Sequence, residues 1–225
     1  MPMGSASAAK RLAMLSTDCS FLLTHLVRQD SKSAQDGVVA RGKLASILDL
    51  AAGTPQLSAS PACWYSSASN AYYYDPEARW SRSTTKTPNV ICFTESTLAG
   101  LKGHRDIFNA RYGVAFDREW LFNKGANPCL NIREELLKKA MQIPGEQYVR
   151  RTFNFIPKCL HPFVNVINSG FDATHEREWR LVDDFSFGYA DLKFVFCPET
   201  DFKLFSGIQT DGWPPLFDVA WLDRV

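Results

Sequence analysis

Charge and bulk alternate along the eleven residues Asp172 to Val182, which read Asp-Ala-Thr-His-Glu-Arg-Glu-Trp-Arg-Leu-Val. Successive strand side chains point to opposite sides. Glu176, Glu178 and Arg180 therefore share one predicted face, and Arg177, Trp179 and Leu181 share the other. Three ionisable groups side by side are costly to bury unless they are paired, solvated or used in a cleft. Used in a cleft, Glu176, Glu178 and Asp183 could gather around magnesium as a nuclease-like site. Paired instead, Glu178 and Arg180 form a structural ion pair, and Trp179 is simply an apolar anchor beside it.

A second candidate is His25, embedded in the apolar run Phe21-Leu-Leu-Thr-His-Leu-Val27. A lone histidine there is either a packed core residue or a ligand contact. The four histidines, at 25, 104, 161 and 175, lack zinc-site spacing, so no metal site is read. His104 and Arg105 are read as solvent-facing on a helix.

The elements that must position these groups are short. Strands are expected over 21–27, 89–93, 112–116, 129–132, around 178, over 192–197 and over 219–222, with helices over 10–16, 43–51, 96–109, 118–123 and 133–142. Thr94 is read as a helix N-cap, Asp117 as the cap of 118–123, and Gly53-Thr54-Pro55 as a stop. Residues 58–87, rich in Ser, Tyr and Ala, are read as a long loop. Pro157 and Pro162 break 148–167 into helical pieces. The irregular interleaving implies an α+β fold with a mixed central sheet and surrounding helices, in a single domain over 11–225 after a disordered segment 1–10.

Composition narrows the setting. Among 225 residues, 45% are hydrophobic and the net charge is +1, so the overall balance does not call for nucleic acid or an anionic membrane. No apolar run is long enough to span a membrane. The six cysteines include no Cys-x-x-Cys pair and read as buried free thiols, which points to a reduced, cytoplasmic protein.

Three blocks resemble the AbiGi-type abortive-infection proteins, a bacterial phage-resistance family. They are Ile91-Cys92-Phe93-Thr94-Glu95 followed by Leu98 and His104; Tyr112-Gly113-Val114-Ala115-Phe116 with Glu119-Trp120 and Gly125-Ala126-Asn127-Pro128; and Glu176-Arg177-Glu178-Trp179-Arg180. Phe116-Asp117 and Cys129 depart from the family pattern. The resemblance implies a regulatory or antitoxin-like half of a phage-exclusion pair, acting through a cognate toxin, another defence partner or nucleic acid. The aromatic-rich stretch 64–80 would suit such binding.

The layout also resembles that of ADP-ribosyltransferases of the DarT type: a strand carrying His25, a helix, a strand ending in Cys92-Phe93-Thr94 and a late strand carrying Glu178. That resemblance implies an ADP-ribosyltransferase-like fold and NAD as cofactor, with Glu178 and His25 catalytic. Glu178 would stabilise the oxocarbenium-like centre formed when the nicotinamide bond breaks, and would orient or deprotonate the acceptor. His25 would also bind the ribose, Phe93 or Tyr112 would stack on nicotinamide, Thr94 would line the cofactor site, and Arg180 would grip phosphate as a fork of donors.

Overall fold

A computed structural model describes residues 20–29, 34–61, 72–75, 79–82, 89–133, 135, 158–167, 169, 174–206 and 212–224. In chain order the first half holds β1 (Leu22–Val27), α1 (Ala34–Leu48), β2 (Gln56–Leu57), β3 (Ser60–Pro61), β4 (Tyr72–Asp75), β5 (Arg79–Arg82), β6 (Asn89–Glu95) and α2 (Leu98–Phe108). Then come β7 (Tyr112–Asp117), α3 (Arg118–Asn123), β8 (Asn127–Pro128), β9 (Leu130–Arg133), β10 (Val164–Ile167) and β11 (Glu178–Val182). The last are β12 (Phe185–Ser186), β13 (Leu192–Phe196), α4 (Phe202–Ser206) and β14 (Leu216–Phe217). Strands and helices mix throughout, and the central sheet contains both parallel and antiparallel pairs, so the protein is α+β. Contacts group the chain into two compact units, one of residues 1–57, 92–126 and 185–225, the other of 58–91 and 127–184.

In the first unit the strands run in the order β14, β13, β7, β1, β6. β7 pairs antiparallel with β1 and β13 and is buried from Tyr112 to Phe116. At Gly113 a Cβ would lie 2.4 Å from the His25 carbonyl oxygen, so the close approach of β1 and β7 requires glycine there. One sheet face carries Leu23, His25 and Val27 opposite Phe116, Val114 and Tyr112. Phe116 on that face stacks on Trp120 and meets Phe93 and Phe187 edge-on. The other face carries Ala115 and Phe196, which pack with Leu101 of α2 and with Val219 and Leu222. Each such buried aromatic or aliphatic side chain contributes about 1.5–3 kcal/mol.

Local chemistry fixes the helix starts. The Asp117 carboxylate accepts the Trp120 amide at 2.9 Å and begins α3, as the sequence predicts. The N-cap of α2 is Thr97, whose Oγ1 accepts the Gly100 amide at 3.1 Å, and not Thr94, because β6 continues to Glu95. α1 begins at Ala34, well before the expected Lys43. Residues 219–222 are no strand: Val219–Arg224 is a 3-10 turn, because Asp218 Oδ1 takes the Ala220 amide and curls the chain.

In the second unit, residues 89–91 of β6 pair with β3, and the order continues from β6 to β11 and β8. β9 and β10 form a separate parallel pair and β4 and β5 an antiparallel one, so the stretch expected to be loop contains strands. The expected helical pieces over 148–167 reduce, where described, to the 3-10 turn Lys158–Phe163 followed by β10. Val164, Val166 and Ile167 are β-branched and suit a strand. The helix predicted over 10–16, the disorder predicted over 1–10 and most of the helix predicted over 133–142 lie outside the described residues.

Candidate functional site

The charged motif begins later than its alternation suggests. Thr174–Glu176 is a 3-10 turn and Arg177 takes a left-handed φ of 43°, so Glu176 is off the strand and β11 starts at Glu178. Glu178 and Arg180 then share a face, two residues apart. Arg180 is 4% exposed and Asn165 of β10 is 1% exposed. Arg180 Nε donates to Glu178 Oε1 at 2.8 Å, and Nη2 donates to Glu178 Oε2 at 3.3 Å and to Asn165 Oδ1. Nη1 donates to the carbonyls of Pro162 at 2.8 Å and Val164 at 3.3 Å. All five guanidinium N–H groups are thereby placed on protein acceptors. Asn165 Nδ2 closes the ring on Glu178 Oε2 at 2.7 Å.

A buried charge pair persists only when its remaining donors and lone pairs are satisfied, and this one meets that condition. The 3-10 turn bearing Pro162 supplies one carbonyl, β10 supplies a carbonyl and an amide, and β11 supplies both charges. Cys129 lies against the pair; burial pushes its thiol up to about 12, with Arg180 pulling down and Glu178 pushing up. Glu178 in this setting is a carboxylate clasped by three donors, and Arg180 is an internal tie between strand and turn.

The other predicted ligand contacts belong to the first unit. His25 Nδ1 donates to the Cys92 carbonyl at 2.9 Å, which fixes the tautomer and leaves Nε2 as an acceptor. Burial lowers its pKa below the ordinary 6.5 and outweighs the raising effect of that carbonyl, so the ring is neutral. Its edge meets Phe93 at 6.0 Å. Phe93 is only 1% exposed, between His25 and Phe116. Thr94 occupies the opposite side of β6 and its carbonyl accepts the Thr24 hydroxyl at 3.2 Å. Tyr112 is buried on the His25 face and donates to Asp201 Oδ2 at 2.7 Å. Burial and then Asp201 hold its phenol well above the ordinary range. His25 and Phe93 thus meet, Tyr112 is turned to Asp201, and Glu178 and Arg180 belong to the second unit.

Sequence reasoning missed Asn165, although a lone amide inside Val-Asn-Val-Ile is a polar interruption of a strand-forming run. His104 is buried and packs on Phe108, contrary to its expected solvent-facing position, because it lies on the same side of α2 as Leu101. Arg105 is tied down as well, to Asp106, to Asp223 and to the Val219 carbonyl. Of the described thiols, Cys197 is buried and Cys129 half-buried, but Cys92 and Cys159 are exposed.

Among the described residues no group of three His, Cys, Asp or Glu side chains is arranged to hold a metal ion, Glu176, Glu178 and Asp183 included. No helix among them is long and apolar enough to cross a membrane. Comparison with protein-family models, curated proteins and solved structures finds no match.

Proposed function

We propose that the chain is a regulatory, antitoxin-like component of a phage-defence pair, working by binding a partner protein or its RNA rather than by turning over a substrate. The observation that carries this reading is the closed Glu178–Arg180–Asn165 network. The carboxylate a transferase would aim at substrate already accepts three protein hydrogen bonds, and Arg180 has no remaining N–H for a phosphate. The AbiGi-like blocks then supply the biological setting. Co-expression with the product of the adjacent gene tests the idea: co-purification and relief of that protein's toxicity are expected. Two proteins that neither associate nor neutralise each other would sink it.

A second reading, an NAD-dependent ADP-ribosyltransferase acting on nucleic acid or protein, is favoured by one observation. His25 is neutral, anchored through Nδ1, and its Nε2 has no protein partner among the described residues, as a group accepting a ribose hydroxyl requires. Incorporation of labelled NAD into a bacterial lysate, before and after phage infection, separates the two readings. Label lost in His25→Ala and Glu178→Gln variants that retain the parent circular dichroism spectrum would favour the transferase. No label in any state favours the binding protein.

A further inference from the structure

The first unit carries a surface cleft of about 390 Å³ lined by Arg105, Asp106, Asn109, Arg111, Ala220 and Asp223. The cleft is shallow and open to solvent, and every lining residue but Ala220 is polar. Its charges divide into two sets. Arg105 donates to both Asp223 oxygens at 2.8 Å, to Asp106 at 2.8 Å and to the Val219 carbonyl at 3.2 Å. Lys102 adds a second cation on Asp223 at 3.2 Å. Hydrogen bonds from Arg105 and Lys102 hold the Asp223 carboxyl below its ordinary range. Both carboxylates of the cleft are thus committed to cations already present.

Arg111 differs. Among the described residues it has no ion pair and no hydrogen bond, although it is partly buried and its charge is felt by the Tyr112 phenol. It stands between the left-handed cap residue Asn109 of α2 and the first residue of β7, so its backbone is fixed on both sides. The nearby C-terminal end of α2 opposes an anion, as do the half-exposed Asp106 and Asp223 carboxylates in so far as Arg105 and Lys102 leave them uncancelled. Part of the helix end is already neutralised: the His104 carbonyl accepts the Ala110 amide, the Phe108 carbonyl accepts the Gln29 amide, and Arg105 occupies the last turn. One guanidinium fork therefore remains for a ligand, in a cleft whose other charges cancel.

We propose that this cleft binds a phosphate group, gripped in bidentate fashion by Arg111, on a ligand no larger than a mononucleotide. Planar forked recognition is what distinguishes arginine from lysine at such a site. Calorimetric titration of the whole protein with inorganic phosphate, with AMP and with a short 5′-phosphorylated oligonucleotide tests it. Saturable binding is expected, weakened about tenfold or more in Arg111→Gln, the worth of a charge-assisted hydrogen bond, and only partly restored in Arg111→Lys. AMP binding more tightly than phosphate would identify a nucleotide site, whereas binding of the oligonucleotide alone, with none by phosphate or AMP, would overturn the proposal. No saturable heat with any of the three, or equal binding by a folded Arg111→Gln variant, would overturn the proposal. The readout is binding alone, so it stands or falls apart from the proposed regulatory role.

Discussion

Arg180 and Arg105 make nearly the same hydrogen bonds in opposite surroundings. Each spends its whole guanidinium on carboxylate and carbonyl oxygens. The acceptors of Arg180 are buried with it: the Glu178 side chain is 9% exposed, whereas those of Asp223 and Asp106 around Arg105 are 54% and 51% exposed. Water competes for the second set and not for the first. Five hydrogen bonds against four rank the two arginines close together, while the solvation of their partners separates them by several kcal/mol.

The largest expected effect is in the second unit. Arg180→Met strands the Glu178 carboxylate and the Asn165 amide in a dry setting, and should lower stability by about 3–5 kcal/mol in urea denaturation. A loss no larger than that of Arg105→Met would break the comparison. Arg105→Met should cost about 1 kcal/mol or less, and 1 M salt should erase most of that difference while leaving the Arg180→Met deficit in place.

Acid titration sharpens the contrast between groups within the first unit. His25 is a base whose folded pKa is lowered by burial, so the unfolded chain binds the proton more readily. Its contribution is complete above the unfolded value of 6.5 and is lost as pH falls from there towards the folded pKa. His25→Gln should flatten stability across that window. Asp223, an acid with a lowered pKa, acts above its unfolded value of 3.8 and loses its contribution as pH falls through the folded pKa, with a small effect because it is exposed. The smallest effect is on thiol reactivity. Iodoacetamide at pH 8 should label Cys92 and Cys159 and spare Cys129 and Cys197, whose thiols burial holds at about 12. Arg180→Met should expose Cys129 to labelling, as read by mass spectrometry.

Local signals in the chain carried much of this fold. The strands at Leu22–Val27, Tyr112–Asp117 and Leu192–Phe196, and the Asp117 cap, follow from apolar runs and capping chemistry that act within a few residues. The errors lie where a partner distant in sequence decides or where a local signal is masked. Residues 164–167 become a strand by pairing with 130–133, whereas the turn at Val219–Arg224 is set locally by Asp218 and its apolar residues hid it. The pairing of Glu178 with Arg180 was legible from their spacing. Its enclosure was not, because Pro162, Val164 and Asn165 lie 13 to 18 residues away and no local pattern announces that they converge.

The pairing of β7 with β13 also has a consequence during synthesis. β7 is complete at Asp117 and its partner begins only at Leu192. At ordinary translation rates of roughly 5–20 residues per second, about 4–15 s pass between the two. Over that interval the buried run Tyr112 to Phe116 has β1 on one edge and nothing from its own chain on the other. A nascent chain paused there displays an apolar strand edge, the kind of surface on which holding chaperones act and on which neighbouring ribosomes' products aggregate. Slowing translation between 118 and 191 should therefore reduce soluble yield more than slowing it after Phe196.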